Sequence, residues 1–379
     1  MVLASDYLKG SQIVVIGAGA VGAALTYRLA QAGARVTAVE RLYPGSGTTS
    51  KSFAWLNGFN KPPKHYHRLN VMSVRDHLDL ADELDGDWVH IQGGLHWEHA
   101  ARKDSLGTLR SKVKRLRDWG FRVDETTPEA AMRELEPDLW IDPEKVPEVY
   151  YCPREGTLDP VPMVHGALRA AVVRYGATYE NGNVVQFLGR PGEVAGVTLE
   201  DGRQIAADLV INAAGPQSDS VAELAGVKIS IDHTLGFTLV TPPAPVCIKA
   251  VIHSPEVTIR PDGGGRLMLR HEEVDGHLVD DQPLPSNSPV VQEVMERARI
   301  VVPNLKRIPA ESIRTGVRPM PKDGKTIVGF EPEVSGLYTV VTHSGVTLSA
   351  RLALLITEEL TGGDVAELEP YRPGRFAQQ

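Results

Sequence analysis

Residues 12–40 of the chain are QIVVIGAGAVGAALTYRLAQAGARVTAVE. The apolar run Gln12–Ile16 predicts a buried strand, and the stretch after it predicts a helix over Ala20–Ala32 that ends at Gly33. A second apolar run predicts a strand over Arg35–Val39. A strand, a helix and a strand in this order are typical of a βαβ unit. We therefore expect an α/β protein with a parallel, doubly wound sheet of the Rossmann type.

The turn between the first strand and the helix has the glycine spacing of a dinucleotide site. Its residues are Gly17, Ala18, Gly19, Ala20, Val21 and Gly22. The first glycine permits the tight turn, the second leaves room for a pyrophosphate, and the third lets helix and strand pack closely. The helix N-terminus offers N–H groups and its positive dipole end to phosphates. Glu40, at the end of the second strand, can accept hydrogen bonds from a ribose and disfavours the 2′-phosphate of NADP. The sequence therefore predicts a site for FAD or NAD.

Composition and charge exclude several classes of protein. The 379 residues carry a net charge of −8, which argues against nucleic acid as a partner. No apolar run approaches the roughly 20 residues that cross a bilayer, and the polar start Met1–Ser11 lacks the features of a signal peptide. The two cysteines, Cys152 and Cys247, form neither a disulfide framework nor a metal-ligand spacing. We expect a cytoplasmic protein with no transmembrane segment and no metal site.

Five further motifs follow the glycine turn and the pair Glu40-Arg41. They are GTTSKS (47–52), EGTLDP (155–160), DLVINAAGP (208–216), RTGVRPMPKDGKTIVG (314–329) and GLYTVVTHSGVTL (336–348). In this order they resemble the D-amino-acid oxidase family of flavoproteins over nearly the whole chain. The resemblance implies FAD as the cofactor and an oxidoreductase that dehydrogenates a small amine or amino acid by hydride transfer to flavin N5.

The strands typical of an FAD-binding domain occur at the start, middle and end of the chain. This distribution predicts two interleaved domains. An FAD-binding domain is expected over 1–85, 150–230 and 310–379, and a smaller α+β substrate domain, built on an antiparallel sheet, over 86–149 and 231–309.

The resemblance also implies which residues contact FAD. Beyond the glycine turn they are Glu40, Arg41, Thr48, Thr49, Ser50, Val185, Ala213, Ala214, Gly215, Gly345, Val346, Thr347 and Leu348. The threonine and serine segment would follow the diphosphate, the valine would frame the adenine, and the last four would begin a helix beside the flavin. The same segments have structural interpretations, as a polar loop, core residues and a helix cap.

By the same resemblance, the substrate contacts are predicted on the late motifs. Arg318 would clamp a substrate carboxylate through a bidentate pair, with a structural salt bridge as the alternative. His343 would tune protonation near the flavin or cap a helix, and His271 is a weaker catalytic candidate. If the amine is neutral, no protein base is required. The segment 61–68 is interpreted mainly as the start of a helix, with the alternative that one of its residues reaches the site.

This chain departs from the family where some members bind the flavin covalently or activate oxygen. The attachment cysteine would fall near Gly316 and the attachment histidine near Trp55, and both residue types are absent there. FAD is therefore expected to be non-covalent. The lysine that sarcosine oxidase-like members place over the flavin aligns with Met268, so a dehydrogenase with another electron acceptor stays open.

Other functions remain open from the sequence. They are an FAD-dependent 2-hydroxy-acid dehydrogenase, a non-catalytic FAD-binding subunit of a larger complex, and an NAD-dependent dehydrogenase. The expected partner is a small molecule with a carboxylate, and an oligomer or an electron-acceptor partner stays open as well.

Overall fold

The predicted βαβ unit begins the fold. In the computed structural model, which describes residues 8–282 and 284–376, it consists of β1 (Gln12–Ile16), α1 (Ala20–Gln31) and β2 (Arg35–Glu40). Gly33 has a φ of +98°, a left-handed conformation that ends the helix at little steric cost. β1 and β2 pair in parallel, as the apolar pattern predicts.

The remaining elements are numbered in chain order. The strands are β3 (Trp55–Leu56), β4 (Val89–His90), β5 (Gly94–Trp97), β6 (Asp124–Thr126), β7 (Val149–Cys152), β8 (Gly156–Leu158), β9 (Thr178–Asn181), β10 (Val184–Leu188), β11 (Gly196–Leu199), β12 (Gln204–Ala206), β13 (Leu209–Asn212), β14 (Ile231–Val240), β15 (Val251–His253), β16 (Thr258–Pro261), β17 (Leu267–Arg270), β18 (Ser312–Pro321), β19 (Ile327–Phe330) and β20 (Leu337–Val341). The α-helices are α2 (Thr48–Lys51), α3 (Lys64–Glu83), α4 (Lys103–Asp118), α5 (Pro128–Ala130), α6 (Pro160–Tyr175), α7 (Ser218–Glu223), α8 (Glu272–Asp275), α9 (Pro289–Val301) and α10 (Gly345–Leu360). A π-helical turn covers Ala131–Leu135, and 3-10 turns cover Gly215–Gln217, Pro303–Leu305, Ala366–Tyr371 and Pro373–Phe376.

The first large sheet contains the βαβ unit. Its strand order is β19-β20-β13-β1-β2-β9, and every pair is parallel except β19 with β20. Helix α1 packs against α6 and α10, and this packing forms the main apolar core. In a parallel sheet the carboxyl ends of the strands share one edge, which is the usual place for a ligand. Here that edge contains the ends of β1, β2, β13 and β20.

The second large sheet is mainly antiparallel. Its order is β18-β14-β17-β16-β15-β5-β7-β6, and only β15 and β5 pair in parallel. The longest ladder joins β14 and β18 over ten residue pairs and sets Thr234 opposite Arg318. Helix α9 packs on this sheet through Val291, Val294 and Met295. The second sheet thus carries the arginine of the late motif.

The fold class predicted from the sequence is confirmed, since a Rossmann-like sheet and a mainly antiparallel sheet are built from alternating parts of the chain. The exact domain borders stay a prediction. Strand β18 lies in the range predicted for the FAD-binding domain, but it pairs with β14 along its whole length and so belongs to the second sheet. Among the helices of the described residues, none combines the length and apolar character needed to cross a bilayer.

Candidate active site

A cavity of about 570 Å³ lies at the carboxyl edge of the parallel sheet. We call it the dinucleotide cavity, because most residues predicted to bind a cofactor line it. Those residues are Gly17, Gly19, Ala20, Val21, Glu40, Arg41, Thr48, Thr49, Val185, Ala213, Ala214, Gly215, Gly345 and Val346. They come from separate parts of the chain, and the convergence of the strand ends brings them together.

The glycine turn leaves no space for side chains. Gly17 has a φ of +98°, and a Cβ atom there would lie 2.6 Å from the carbonyl oxygen of Ala213. At Gly22 a Cβ would lie 1.9 Å from the carbonyl oxygen of Gly17, so close packing of helix and strand requires glycine. A Cβ at Gly19 would approach Thr49 Oγ1 at 3.1 Å. Because Gly17 and Gly19 line the cavity without side chains, their backbone is accessible to a ligand there, which fits a bound pyrophosphate.

Two side chains are held in place at this turn. The carboxylate of Glu40 accepts hydrogen bonds from the backbone N–H groups of Ala18 and Leu42, each at 3.0 Å. Thr49 Oγ1 accepts one from the N–H of Ala20 at 3.1 Å. These bonds hold Glu40 at the end of β2, with its carboxylate in the wall of the cavity, where it could accept from a ribose hydroxyl.

Five predicted cofactor residues lie outside the dinucleotide cavity. They are Ala18, Gly22, Ser50, Thr347 and Leu348. The first two shape the turn, as described above. The Ser50 hydroxyl donates to the carbonyl of Ser46, and Leu348 is buried in the main core. Thr347 donates to the carbonyl of Trp55 and lines a second cavity.

This second cavity, of about 450 Å³, adjoins the first. The two share Thr48, Ser52, His343 and Val346 in their walls, and we call this the junction. Five cationic side chains line the second cavity, namely Lys51, Lys61, Lys112, Arg270 and Arg318, against two carboxylates, those of Glu272 and Asp275. We call it the cationic cavity.

Arg318 lines the cationic cavity and is partly engaged by the protein. Its guanidinium donates to Asp275 at 3.0 Å, to Thr234 at 3.3 Å and to the carbonyl of Leu235. The salt bridge that the sequence left as an alternative is therefore formed. Because a guanidinium has five N–H donors, two remain for a ligand. A Cβ at Gly236 would lie 2.8 Å from the guanidinium carbon, so this glycine makes room for it.

His343 lies at the junction and is accessible from both cavities. Desolvation by the surrounding walls lowers the pKa of its imidazole, and the charges of Lys61, Arg318 and Arg270 lower it further. The ring is therefore neutral at pH 7. Its place near the flavin and its chemical role stay predictions.

His271 does not line either cavity. It is buried, and its Nε2 lies 3.2 Å from the carbonyl oxygen of Pro255 and 3.1 Å from Arg297. The second contact links the imidazole to α9, which packs on the second sheet. The geometry gives no support to the predicted catalytic role.

Sequence reasoning missed several residues of the cationic cavity. Lys61 precedes α3 and donates to Ser344 Oγ at 3.0 Å, beside the junction, and Tyr66 follows it in the wall. The only signal was the run of basic and aromatic residues that we interpreted as a helix start. Burial lowers the pKa of Lys61 to about 8. Met268, in contrast, is fully buried and does not line the cationic cavity.

A buried polar pair supports the cavity wall at Phe59. Glu155 accepts hydrogen bonds from the N–H of Phe59 at 3.1 Å and from His96 at 3.1 Å, and the His96 ring stacks on Phe59 with centroids 3.9 Å apart. Cys152 is buried and forms no disulfide, and its Sγ lies within 4.8 Å of a ring nitrogen of His96 and a carboxylate oxygen of Glu155. These are atom types that can bind a metal ion, a grouping that the sequence spacing did not indicate. Because the carboxylate binds Phe59, it positions this wall residue.

Comparison with known proteins agrees with this geometry. A family model described as "FAD dependent oxidoreductase" matches residues 12–359. The chain belongs to this family. FAD is therefore the cofactor of this flavoprotein, and the alternative of an NAD-dependent dehydrogenase is wrong.

Relatives of this FAD-dependent oxidoreductase match it over nearly its whole length. One of the subunits of the opine oxidase of Agrobacterium tumefaciens (strain Ach5) is 26% identical, covering 97% of this chain and 98% of that protein. Glycine oxidase of Geobacillus kaustophilus (strain HTA426) is 25% identical, covering 95% of each. The crystal structure of glycine oxidase from Geobacillus kaustophilus has a TM-score of 0.84 at 22% identity, covering 96% of this chain and 99% of that one.

Proposed function

We propose that this flavoprotein dehydrogenates a small amine or amino acid at the carbon next to nitrogen. The observation that carries the proposal is the junction, where Thr48, Ser52, His343 and Val346 belong to both cavity walls. When bound, FAD supplies a hydride acceptor at N5 of its flavin ring. A compound in the cationic cavity would lie beside the cofactor.

The charges of the cationic cavity support an amine substrate with a carboxylate. The two free N–H groups of Arg318 would bind the carboxylate and orient the molecule. The surplus of positive charge disfavours an ammonium and so favours the neutral amine. A neutral amine can lose a hydride and become an iminium without a protein base. His343, being neutral, adds no charge where this happens.

The relatives support oxidation next to nitrogen, because they are named as oxidases of an opine and of glycine. The first is named as one subunit of its oxidase, which supports a partner chain for this protein as well. We also propose that FAD is held without a covalent bond, since Trp55 and Gly316 replace the attachment residues. A cytoplasmic location stays a prediction.

An anaerobic titration of the purified flavoprotein tests this function. Glycine, N-methyl amino acids, D-amino acids, cyclic imino acids and 2-hydroxy acids are added in turn, and loss of the visible flavin absorbance is recorded. We expect bleaching by at least one amine class. Bleaching by 2-hydroxy acids alone would replace the proposal with the hydroxy-acid dehydrogenase. If none of these compounds and no amine with two carboxylates bleaches the flavin, the result contradicts the proposal and supports a non-catalytic FAD-binding subunit.

A further inference from the structure

The cationic cavity keeps a surplus of positive charge after its ion pairs are formed. Arg318 pairs with Asp275 at 3.0 Å, and Arg270 pairs with Glu272 at 3.0 Å. These two pairs engage both carboxylates of the wall. The lysines of the same wall thus form no salt bridge with either of these carboxylates.

Lys61 and Lys112 are the two lysines for which this matters most. Among the described residues neither forms a salt bridge, although the carboxylates of Glu155 and Glu272 attract Lys61, and that of Glu272 attracts Lys112, from a longer distance. Within the described part of the chain, the hydrogen-bond partner of Lys61 is the neutral hydroxyl of Ser344, and Lys112 lines the same cavity from α4. Burial lowers the pKa of both amines, because a desolvated ammonium is unfavourable without an anion. An anionic ligand group beside the lysines would offset the free-energy cost of their desolvated ammonium groups.

The two lysines come from different elements than Arg318. Lys61 precedes α3, Lys112 belongs to α4, and Arg318 belongs to β18 of the second sheet. The cavity therefore has cationic groups on separate walls, and such an arrangement selects a ligand whose negative charges are separated in the same way. A single carboxylate at Arg318 would leave the two lysines without an anion in direct contact.

We propose that Lys61 and Lys112 form a second anion subsite, so that the preferred substrate is an amine that carries two carboxylates. This inference rests on the proposed function, in which Arg318 takes the first carboxylate. The oxidised carbon would then lie between two anchored ends of the molecule. The lysines act as specificity-determining residues, and they take no part in the hydride transfer itself.

Binding of non-oxidisable analogues to the FAD-loaded protein tests this proposal. Diglycolate has two carboxylates on an ether, and methoxyacetate has one carboxylate on a similar ether. Their dissociation constants are measured by calorimetry and by perturbation of the flavin spectrum. We expect wild type to prefer diglycolate by roughly tenfold or more, the size of one charge-assisted hydrogen bond.

Two variants and one control complete the test. In Lys61→Met and in Lys112→Met the preference for diglycolate should shrink toward onefold, and Lys112→Met keeps the test decisive if Lys61→Met loses FAD. Lys114→Met, which replaces an exposed lysine of α4 paired with Asp118, should keep the wild-type preference.

The possible results separate this inference from the proposed function. Equal affinity of wild type for both analogues, or an equal loss of both in Lys61→Met, would overturn the second subsite. Tighter binding of phosphoglycolate than of diglycolate would replace the second carboxylate with a phosphate and overturn the dicarboxylate assignment. Bleaching of the flavin by amines is measured separately, so a failure of the second subsite is distinguished from a failure of the proposed function.

Discussion

Replacement of Arg318 by alanine is the most direct test of the substrate class. Three of its five N–H donors are engaged by protein groups, and two remain for a substrate carboxylate. Asp275, at 3.0 Å, already balances part of the guanidinium charge, and the side chain is 26% exposed. Truncation of one partner of a buried charge pair typically costs roughly 2–5 kcal/mol of binding free energy. For Arg318→Ala we expect a loss of transition-state binding free energy near the lower end of this range, about 2–3 kcal/mol.

This free energy corresponds to a decrease in kcat/KM of roughly 30- to 150-fold for Arg318→Ala. Steady-state or anaerobic stopped-flow kinetics with the best amine substrate would measure it. Arg318→Lys should recover only part of the loss, because an ammonium cannot form the bidentate pair. The FAD content should stay at the wild-type level, since Arg318 does not line the dinucleotide cavity.

Asp275→Asn is a matched control for the charge pair. The asparagine can still accept the hydrogen bond from the N–H of Phe237 but no longer neutralises Arg318. Substrate affinity should be retained or increased. The reasoning would be refuted by equal kcat/KM in wild type and Arg318→Ala. Loss of FAD from Arg318→Ala would show instead that the arginine is structural.

Three further predictions concern the cofactor and stability. Acid precipitation should release the flavin into the supernatant as FAD, and colour that stays with the pellet would contradict non-covalent binding. Gly19→Val should yield protein with little FAD, because the side chain would fill the space beside Thr49 that the pyrophosphate needs, and an unchanged absorbance ratio would disprove this site. His77 is buried with a pKa lowered to about 4, so the unfolded state binds its proton near pH 6.5 and the folded state does not. Stability should therefore decrease as pH falls from 6.5 toward 4, by roughly 1 kcal/mol at pH 5.5 from this residue. Thermal melting of His77→Gln should show a shallower decrease, and an identical pH dependence would count against the assignment.

The dinucleotide site was largely predictable from the sequence. The βαβ unit and its phosphate-binding turn are formed by residues that are close together in the sequence. The spacing of the glycines, Glu40 and the apolar runs therefore already implies them. The motifs around Ala213 and Gly345 were added by family resemblance, and the structure brings them to the same cavity. The prediction was weaker where one motif contains both cavity and core residues, as at Leu348. Successive residues of the first helical turn point in different directions, so some line the cavity and others pack in the core.

The sequence by itself determined the fold class and, with the family resemblance, predicted the residues of the FAD site and a substrate role for Arg318. Only the tertiary structure decided that Arg318 is paired with Asp275, that His271 lies outside both cavities, and that Lys61 and Lys112 line the cationic cavity. The physical reason is the range of the interactions. A turn or a strand depends on adjacent residues, whereas the charge balance of a cavity depends on side chains that approach from several distant elements.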